Sequence, residues 1–167
     1  MPCFLFTYHA YRSWMPDRPQ GYVRRHQGIL PRNLKMAGQY EANAKHSRVR
    51  FVADHQLKCI ETLQCAVEHI SCRLHFVSTD STHVHALVSW TGTQTWLQNR
   101  TSLKRALTLS LKSAFGNRPW LVDGASRKQV CDRAHFEYLV GTYLRSHSGW
   151  KWCEHRGSFL APASGET

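Results

Sequence analysis

Two histidines, His83 and His85, lie one residue apart in a short apolar segment of the sequence. In an extended strand, side chains two residues apart point to the same face, so both imidazoles should lie together. The residues that alternate with them should pack on a core from the opposite face, namely Val84, Ala86, Val88 and Trp90. Neutral imidazoles held side by side on a rigid strand form half of a metal site. In a chain with 11 histidines, chance composition is the alternative explanation.

Tyr143 and His147 lie four residues apart at the end of a predicted helix. On a helix this spacing places both side chains on one face, about one turn apart. If the helix packs beside the histidine strand, His147 would complete a three-ligand site for a divalent cation, with positions open for substrate oxygens. Tyr143 would then be a nucleophile beside the metal, with Tyr138 as a rival. For either tyrosine, burial of the ring against the sheet is the structural alternative.

Two residues near these groups have more than one interpretation. Asp80 could orient a histidine as a hydrogen-bond acceptor, or it could cap the turn of a hairpin. Gly141 weakens the predicted helix, so it could act as a hinge for the tyrosine segment or relieve crowding there.

The charge of the chain indicates a polyanionic partner. Lys and Arg number 22 against 11 acidic residues, which gives a formal net charge of +11. Nucleic acid and acidic membrane surfaces both attract such a chain. Nucleic acid is favoured, because the sequence has no apolar run of about 18 residues and no signal-peptide or lipidation motif. The six cysteines form no C-x-x-C pair, which argues against a zinc ribbon or redox dithiol and favours free thiols in a reducing cytoplasm.

The basic residues concentrate in three segments that we expect to contact DNA phosphates. They are Arg18, Arg24 and Arg25 in a loop over residues 13–50, Arg100, Lys104 and Arg105 on a helix, and Arg127 and Lys128 in a polar turn. Trp14 and Tyr22 in the same loop could stack on unpaired bases. A loop and a helix face that are simply solvated are the alternatives.

Hydrophobic periodicity and turn signals predict an α+β order of elements. They are a strand at 4–11, the long loop with a short helix at 34–44, a helix at 54–70, a strand at 73–79, the histidine strand, a helix at 94–115, a possible strand at 119–122 and a helix at 132–145. Strands joined by the short 80–81 link should pair as an antiparallel hairpin. The prediction is a ferredoxin-like fold, a mostly antiparallel sheet with helices packed on one side. Residues 1–160 should form one domain with 13–50 as a basic insertion, and 161–167 a flexible tail.

The segment H-V-H-A-L-V matches the HUH motif, histidine–bulky apolar–histidine, and the segment from Tyr143 to His147 matches its partner helix. On these motifs the sequence resembles the single-tyrosine HUH transposases of small insertion sequences and the related REP-associated tyrosine transposases. The resemblance runs from the first strand to about Trp152. Family members usually carry Gln four residues after the tyrosine, or Asn followed by Pro. Here His147 and Ser148 stand at these positions, which leaves the metal preference open.

The resemblance implies a metal-dependent single-stranded DNA endonuclease and strand transferase. Mg²⁺ or Mn²⁺ held by His83, His85 and His147 would polarise the scissile phosphate, and Tyr143 would attack it to give a 5′-phosphotyrosine link. The implied partners are DNA hairpins near the cleavage point and a second copy of the chain, in the bacterial cytoplasm at the nucleoid. Two alternatives remain open: a non-catalytic hairpin-binding protein descended from such an enzyme, and an unrelated zinc hydrolase that uses the same histidines.

Overall fold

The computed structural model describes residues 1–24 and 27–160. Its strands are β1 (Cys3–His9), β2 (Tyr22–Arg24), β3 (Gly28–Leu30), β4 (Cys72–Thr79), β5 (His83–Trp90), β6 (Ser126–Gln129), β7 (Trp150–Cys153) and β8 (Gly157–Leu160). Its α-helices are α1 (Leu34–Ala42), α2 (Ala53–His69), α3 (Trp96–Phe115) and α4 (Arg133–Tyr138), and α4 continues as a π-helical turn (Leu139–Tyr143) and a 3-10 turn (Leu144–Ser146). The predicted tail, 161–167, lies outside the described residues, and the division into one domain stays a prediction.

Six strands form one sheet in the order β6-β1-β5-β4-β7-β8, and every neighbouring pair in it is antiparallel. The units β1-α2-β4 and β5-α3-β6 are two split β-α-β units, and the order of their four strands is that of a ferredoxin-like fold. The predicted α+β, ferredoxin-like class with an antiparallel sheet is therefore confirmed. The predicted β4–β5 hairpin is present. Strand β5, which carries the two histidines, is one of the two central strands among β6, β1, β5 and β4.

The sheet buries both of its faces. Val84, Ala86 and Val88 pack with α2 and α3 on one face, as the alternation in β5 predicts. Leu5, Phe76 and Leu87 face the other way and pack against Leu139 and Leu144 of the C-terminal helical segment. The prediction that all helices pack on one side is therefore wrong. The reason is that β1 and β5 carry apolar side chains at both odd and even positions, so each face needs a covering layer.

Helices α2 and α3 follow the predicted periodicity because one stripe of each is apolar. Leu103, Leu107 and Leu111 of α3 are fully buried. Thr95 caps the N-terminus of α3, and its hydroxyl accepts from the backbone N–H of Gln98 in a capping box. Leu97 lies in the first turn and is 48% exposed, outside this buried stripe.

Four segments differ from their predictions. The segment with Arg127 and Lys128, predicted as a polar turn, contains edge strand β6, which pairs with β1. The predicted strand at 119–122 is reduced to one isolated bridge between Ala10 and Leu121. The 13–50 insertion contains the β2–β3 hairpin as well as α1, and β8 extends the sheet beyond β7. Edge strands such as β6 are exposed and polar, so their sequences lack the apolar alternation on which the predictions depended.

Candidate metal centre and active site

The three predicted histidines lie together. His83 and His85 stand side by side on β5 with their ring centroids 4.7 Å apart. His147 follows the 3-10 turn, and its ring lies 5.1 Å from that of His83 and 4.6 Å from that of His85. One ring nitrogen from each residue lies within 4.8 Å of the others, so the group could hold a metal ion. The three-histidine arrangement suits a first-row divalent ion with coordination positions left for a substrate.

Threonine hydroxyls orient the two histidines of β5. Oγ1 of Thr7, on neighbouring strand β1, lies 2.8 Å from Nδ1 of His85. Oγ1 of Thr82 lies 2.9 Å from Nδ1 of His83. When each Nδ1–H donates to its threonine oxygen, the lone pair on Nε2 is free to bind a metal. These hydroxyls are therefore suited to fix the tautomer that a metal site requires.

The third histidine has a carboxylate beside it. Asp80 Oδ2 lies 3.9 Å from Nδ1 of His147, while Asp80 Oδ1 accepts from the backbone N–H of Ser81 at 2.6 Å. The contact with Ser81 is the turn cap that the sequence suggested, whereas the carboxylate lies near His147 but beyond hydrogen-bond distance of its ring. Within the described residues, Nε2 of His85 and Nε2 of His147 are buried and have no hydrogen-bond partner. A bound cation would satisfy both atoms, so the residues present fit the metal that the sequence motif implies.

Burial keeps the three imidazoles neutral. Burial, together with charge repulsion from His83, His147 and His9, lowers the pKa of His85 to about 2. Burial likewise lowers the pKa values of His83 and His147, although Asp80 opposes the shift in both. Neutral imidazole is the form that binds metal, so the site is ready for a cation at neutral pH.

A buried lysine holds the loop that carries His147. Lys151 on β7 is fully buried, and its Nζ donates to the carbonyl oxygens of His147 and Gly149, the latter at 2.9 Å. A Cβ at Gly149 would lie 2.5 Å from the carbonyl oxygen of Thr79, so the backbone here tolerates only glycine without movement. These contacts fix where the helical segment ends and where the third imidazole points.

Tyr143 packs on the histidine group. Its ring centroid lies 5.5 Å from that of His85 and 5.2 Å from that of His147. Tyr143 and His147 do not share one face of a regular helix, because Tyr143 ends the π-helical turn and the backbone of His147 is already extended. Burial raises the pKa of the Tyr143 phenol, and Tyr138 adds to the shift. Tyr138 itself is 54% exposed.

Two cavities meet at Tyr143. The first has a volume of about 330 Å³ and is lined by Thr7, His9, Ser13, Trp14, Arg18, Thr82, His83, His85, Ser126 and Tyr143. The second has about 290 Å³ and shares Thr7, Ser126 and Tyr143 with the first, while Arg127, Lys128 and Tyr138 are among its other lining residues. The phenol of Tyr143 therefore borders both a space beside the histidines and a space lined by basic side chains. Two neighbouring cavities that share lining residues suit an extended polymer strand.

The basic residues that were predicted to contact DNA lie in several parts of the structure. Arg18 lines the first cavity and lies 4.4 Å over the ring of Trp14. Arg100 and Arg127 both lie over Trp96, at 5.0 Å and 3.8 Å from its centroid. The remaining basic residues are Lys128 in the second cavity, Lys104 at 3.9 Å from Asp123, Arg105 exposed on α3, and Arg24 in β2. The side chain of Arg24 and the whole of Arg25 lie outside the described part of the chain.

Sequence reasoning missed His9, Ser13 and Thr7 as site residues. The register of β1 against β5 pairs Thr7 with His85 and His9 with His83, so both lie on the histidine face. Thr7 and His9 are two residues apart in β1, so alternation alone puts them on one face of that strand. Only the pairing with β5 shows that this face is the one that carries the site.

The fold is also found in a solved structure. A REP-associated tyrosine transposase bound to a REP hairpin matches this chain with a TM-score of 0.52 and 8% identity, over 86% of this chain. This chain spans 64% of the length of that protein. No protein-family model matches the sequence, and a search of curated proteins gives no match. The likeness shows a shared α+β fold. Within residues 1–24 and 27–160, no helix combines the length and apolar character that crossing a membrane requires.

Proposed function

We propose that the protein is a metal-dependent single-stranded DNA endonuclease and strand transferase that acts through Tyr143. The observation that carries this proposal is the packing of the Tyr143 ring on His85 and His147, whose buried Nε2 atoms have no hydrogen-bond partner in the part of the chain that the structure describes. A phenol beside an open three-histidine site has the parts that phosphodiester transfer needs. Tyr143 contacts the histidines of its own chain, which supports action in cis.

His83, His85 and His147 would hold the cation, which would act as a Lewis acid on the scissile phosphate when bound. The phenol oxygen of Tyr143 attacks phosphorus and loses its proton, while the bond from phosphorus to the 3′ oxygen breaks and that oxygen takes up a proton. The products are a 5′-phosphotyrosine link and a free 3′-hydroxyl end. The phosphodiester energy stays in the link, so rejoining to another 3′ end needs no nucleotide cofactor. Since burial raises the pKa of Tyr143, the phenol must be activated before it attacks.

We propose Mn²⁺ as the better of the two expected cations. Three imidazole ligands suit it more than Mg²⁺, because Mg²⁺ prefers oxygen ligands and retains its waters. Zinc also suits three histidines, and this ligand set is the specific observation that favours a zinc hydrolase as the second candidate. Such an enzyme would hold zinc tightly and would not depend on Tyr143.

The proposed substrate is single-stranded DNA next to a hairpin. The chain carries a net charge of +11, and the solved structure with this fold contains a REP hairpin. The basic residues of the three segments would contact its phosphates, and a homodimer would bring two such sites together. A substrate of this kind lies in the bacterial nucleoid, where we expect the protein to work. A protein that only binds hairpins would use the same basic residues.

A covalent adduct assay tests the proposal. The full chain is incubated with Mn²⁺ and a labelled pool of oligonucleotides that carry a hairpin and a randomised single-stranded flank. We expect a denaturant-resistant protein–DNA adduct that is lost in Tyr143→Phe and kept in the matched control Tyr138→Phe. Retarded mobility without an adduct would support the binding protein instead. An adduct lost in Tyr138→Phe but kept in Tyr143→Phe would transfer the nucleophile to Tyr138.

A further inference from the structure

The first cavity, which lies beside Tyr143 and the histidines, has a second wall that the proposed chemistry does not use. It is formed by the end of β1 and the segment that follows it, with His9, Ser13, Trp14 and Arg18 as its residues. Among the described residues, the ten that line the cavity are aromatic, hydroxyl-bearing, histidine or arginine, and no carboxylate lies among these ten. The histidine group suits a cation, and this second wall offers hydrogen-bond donors to an anion.

His9 is held in one orientation by a tryptophan. The Nε1–H of Trp14 donates to Nδ1 of His9 at 2.7 Å, and the two rings meet edge to face at 5.0 Å. Because Nδ1 accepts this hydrogen bond, the proton of the neutral imidazole lies on Nε2. The His9 ring lies 5.9 Å from that of His83, at the border of the histidine group. His9 therefore offers an N–H donor beside the proposed metal centre.

Two further donors lie on the same wall. The hydroxyl of Ser13 is buried and has no hydrogen-bond partner among the described residues. The guanidinium of Arg18 lies 4.4 Å over the indole of Trp14, which leaves its N–H groups available at their edges. A buried hydroxyl without a partner is costly unless a ligand satisfies it. Trp14 therefore contacts two donors, His9 through its indole N–H and Arg18 through its ring face, on the wall that also carries Ser13.

From this wall we infer that His9, Ser13 and Arg18 form a phosphate-binding subsite of the single-stranded substrate, in which Nε2–H of His9 donates to a non-bridging oxygen of the phosphate at the metal centre. His9 is thereby a catalytic residue that contacts substrate, and Trp14 is a positioning residue that sets its tautomer. Arg18 supplies the positive charge. No proton is transferred by His9 in this role. That the ligand is single-stranded DNA rests on the proposed function. That the subsite binds a phosphate group rests only on the residues of the cavity.

Binding in a background that cannot react provides the test. In Tyr143→Phe protein, the Kd for a ten-residue oligothymidylate is measured with and without Mn²⁺. We expect His9→Ala to weaken the Mn²⁺-dependent binding about 10- to 100-fold, as for a lost hydrogen bond to a charged group. Trp14→Phe keeps the ring under Arg18 but removes the N–H, and it should weaken binding in the same direction by less. His46→Ala, at an exposed position outside the cavity, is the matched control and should leave binding unchanged.

A second probe shows which part of the strand His9 contacts. With methylphosphonate linkages in place of phosphates, the difference between His9→Ala and the parent protein should vanish. A difference that persists would mean a contact with base or sugar, and the inference would fail. Mn²⁺ affinity without oligonucleotide should be the same in both proteins. If His9→Ala lowers it, His9 is a metal ligand and the inference is overturned.

The adduct assay separates this inference from the proposed function. If the wild-type protein forms no adduct but His9→Ala still weakens oligothymidylate binding, the phosphate subsite stands and the transferase chemistry falls. If the adduct forms while His9→Ala changes neither the binding nor the rate of adduct formation, the subsite is refuted and the transferase proposal remains. His9→Gln, which keeps an N–H near the position of Nε2, should recover part of the rate, whereas a merely structural role for His9 would give no such recovery.

Discussion

Thr7 and His85 meet across the β1–β5 ladder, with Oγ1 of Thr7 at 2.8 Å from Nδ1 of His85. Both side chains are buried, and the other nitrogen of His85 has no partner within the described residues. One strand therefore supplies the ligand, and its neighbour supplies the group that orients it. Partners of this kind set both the tautomer and the basicity of a metal-binding histidine.

Thr7→Val should lower the affinity for Mn²⁺ while the fold is retained. The methyl group replaces the hydroxyl at similar volume, so Nδ1 of His85 loses its partner and the imidazole loses its fixed tautomer. The expected loss is about 10- to 100-fold in Kd, measured by calorimetry. Thr62→Val on α2, a threonine that bonds Ser110 far from the histidines, is the matched control. Equal affinities in the two variants would show that Thr7 does not orient the ligand.

Acid should destabilise the metal-free protein. The pKa of His85 is about 2 in the folded state and near 6.5 when unfolded, so below pH 6.5 the unfolded chain binds more protons. The loss of stability caused by His85 is absent above pH 6.5 and grows as the pH falls towards 2. Between about pH 5.5 and 4 this one group should lower the free energy of unfolding by up to about 1.4 kcal/mol per pH unit.

Urea denaturation in the presence of a chelator, at a series of pH values, measures this dependence. His85→Gln should reduce the slope of the free energy of unfolding against pH by the equivalent of about one proton taken up on unfolding. His155→Gln, at an exposed position in the β7–β8 turn, serves as the control. An unchanged slope in His85→Gln would contradict the lowered pKa.

Lys151→Met should destabilise the fold and weaken metal binding together. The ammonium satisfies the carbonyls of His147 and Gly149, and without it these oxygens are left without that donor in a buried position. The expected cost is about 1–3 kcal/mol, with a loss of Mn²⁺ affinity because the His147 loop is released. Lys58→Met removes an exposed pair with Glu61 and should cost at most about 0.5 kcal/mol. If Lys151→Met left Mn²⁺ affinity intact, the lysine would have only a structural role.

Gly149→Ala and Gly141→Ala should have opposite effects. A Cβ at Gly149 would lie 2.5 Å from the Thr79 carbonyl oxygen, so the backbone must move, at a cost of about 1–3 kcal/mol. A Cβ at Gly141 meets none of the described residues within 4 Å, and alanine there should stabilise the helical segment by up to about 1 kcal/mol. Thermal denaturation measures both. The adduct rate of Gly141→Ala tests the hinge hypothesis, which requires the rate to fall.

Arg127→Gln should weaken single-stranded DNA binding and reduce its salt dependence. Arg127 is exposed on edge strand β6 and lies 3.8 Å over Trp96, where it could reach a phosphate beside the second cavity. The slope of log Kd against log salt should fall by about 0.7, the value for one lost phosphate contact. Arg133→Gln, an exposed arginine paired with Glu137, is the control. An unchanged slope in Arg127→Gln would remove this residue from the DNA interface.

Local pattern was sufficient for several features of this protein. The alternation through His83 and His85 predicted a strand with both imidazoles on one face, and the periodic leucines predicted α3. The α+β order followed from these elements, because the period of apolar residues reflects which face each element buries. The spacing of Tyr143 and His147 predicted that the two residues lie near each other, although a π-helical turn and a 3-10 turn bring them together instead of one regular helix.

Tertiary structure decided the rest. The strand order and register placed Thr7 and His9 beside the histidines, and no local pattern in β1 reports its partner. The tyrosine segment covers the face opposite α2 and α3, which depends on apolar residues of several strands acting together. The polar strand β6 exists only because β1 offers an edge to pair with. Periodicity shows which side of an element is buried, whereas contacts between distant residues depend on how the whole sheet is assembled.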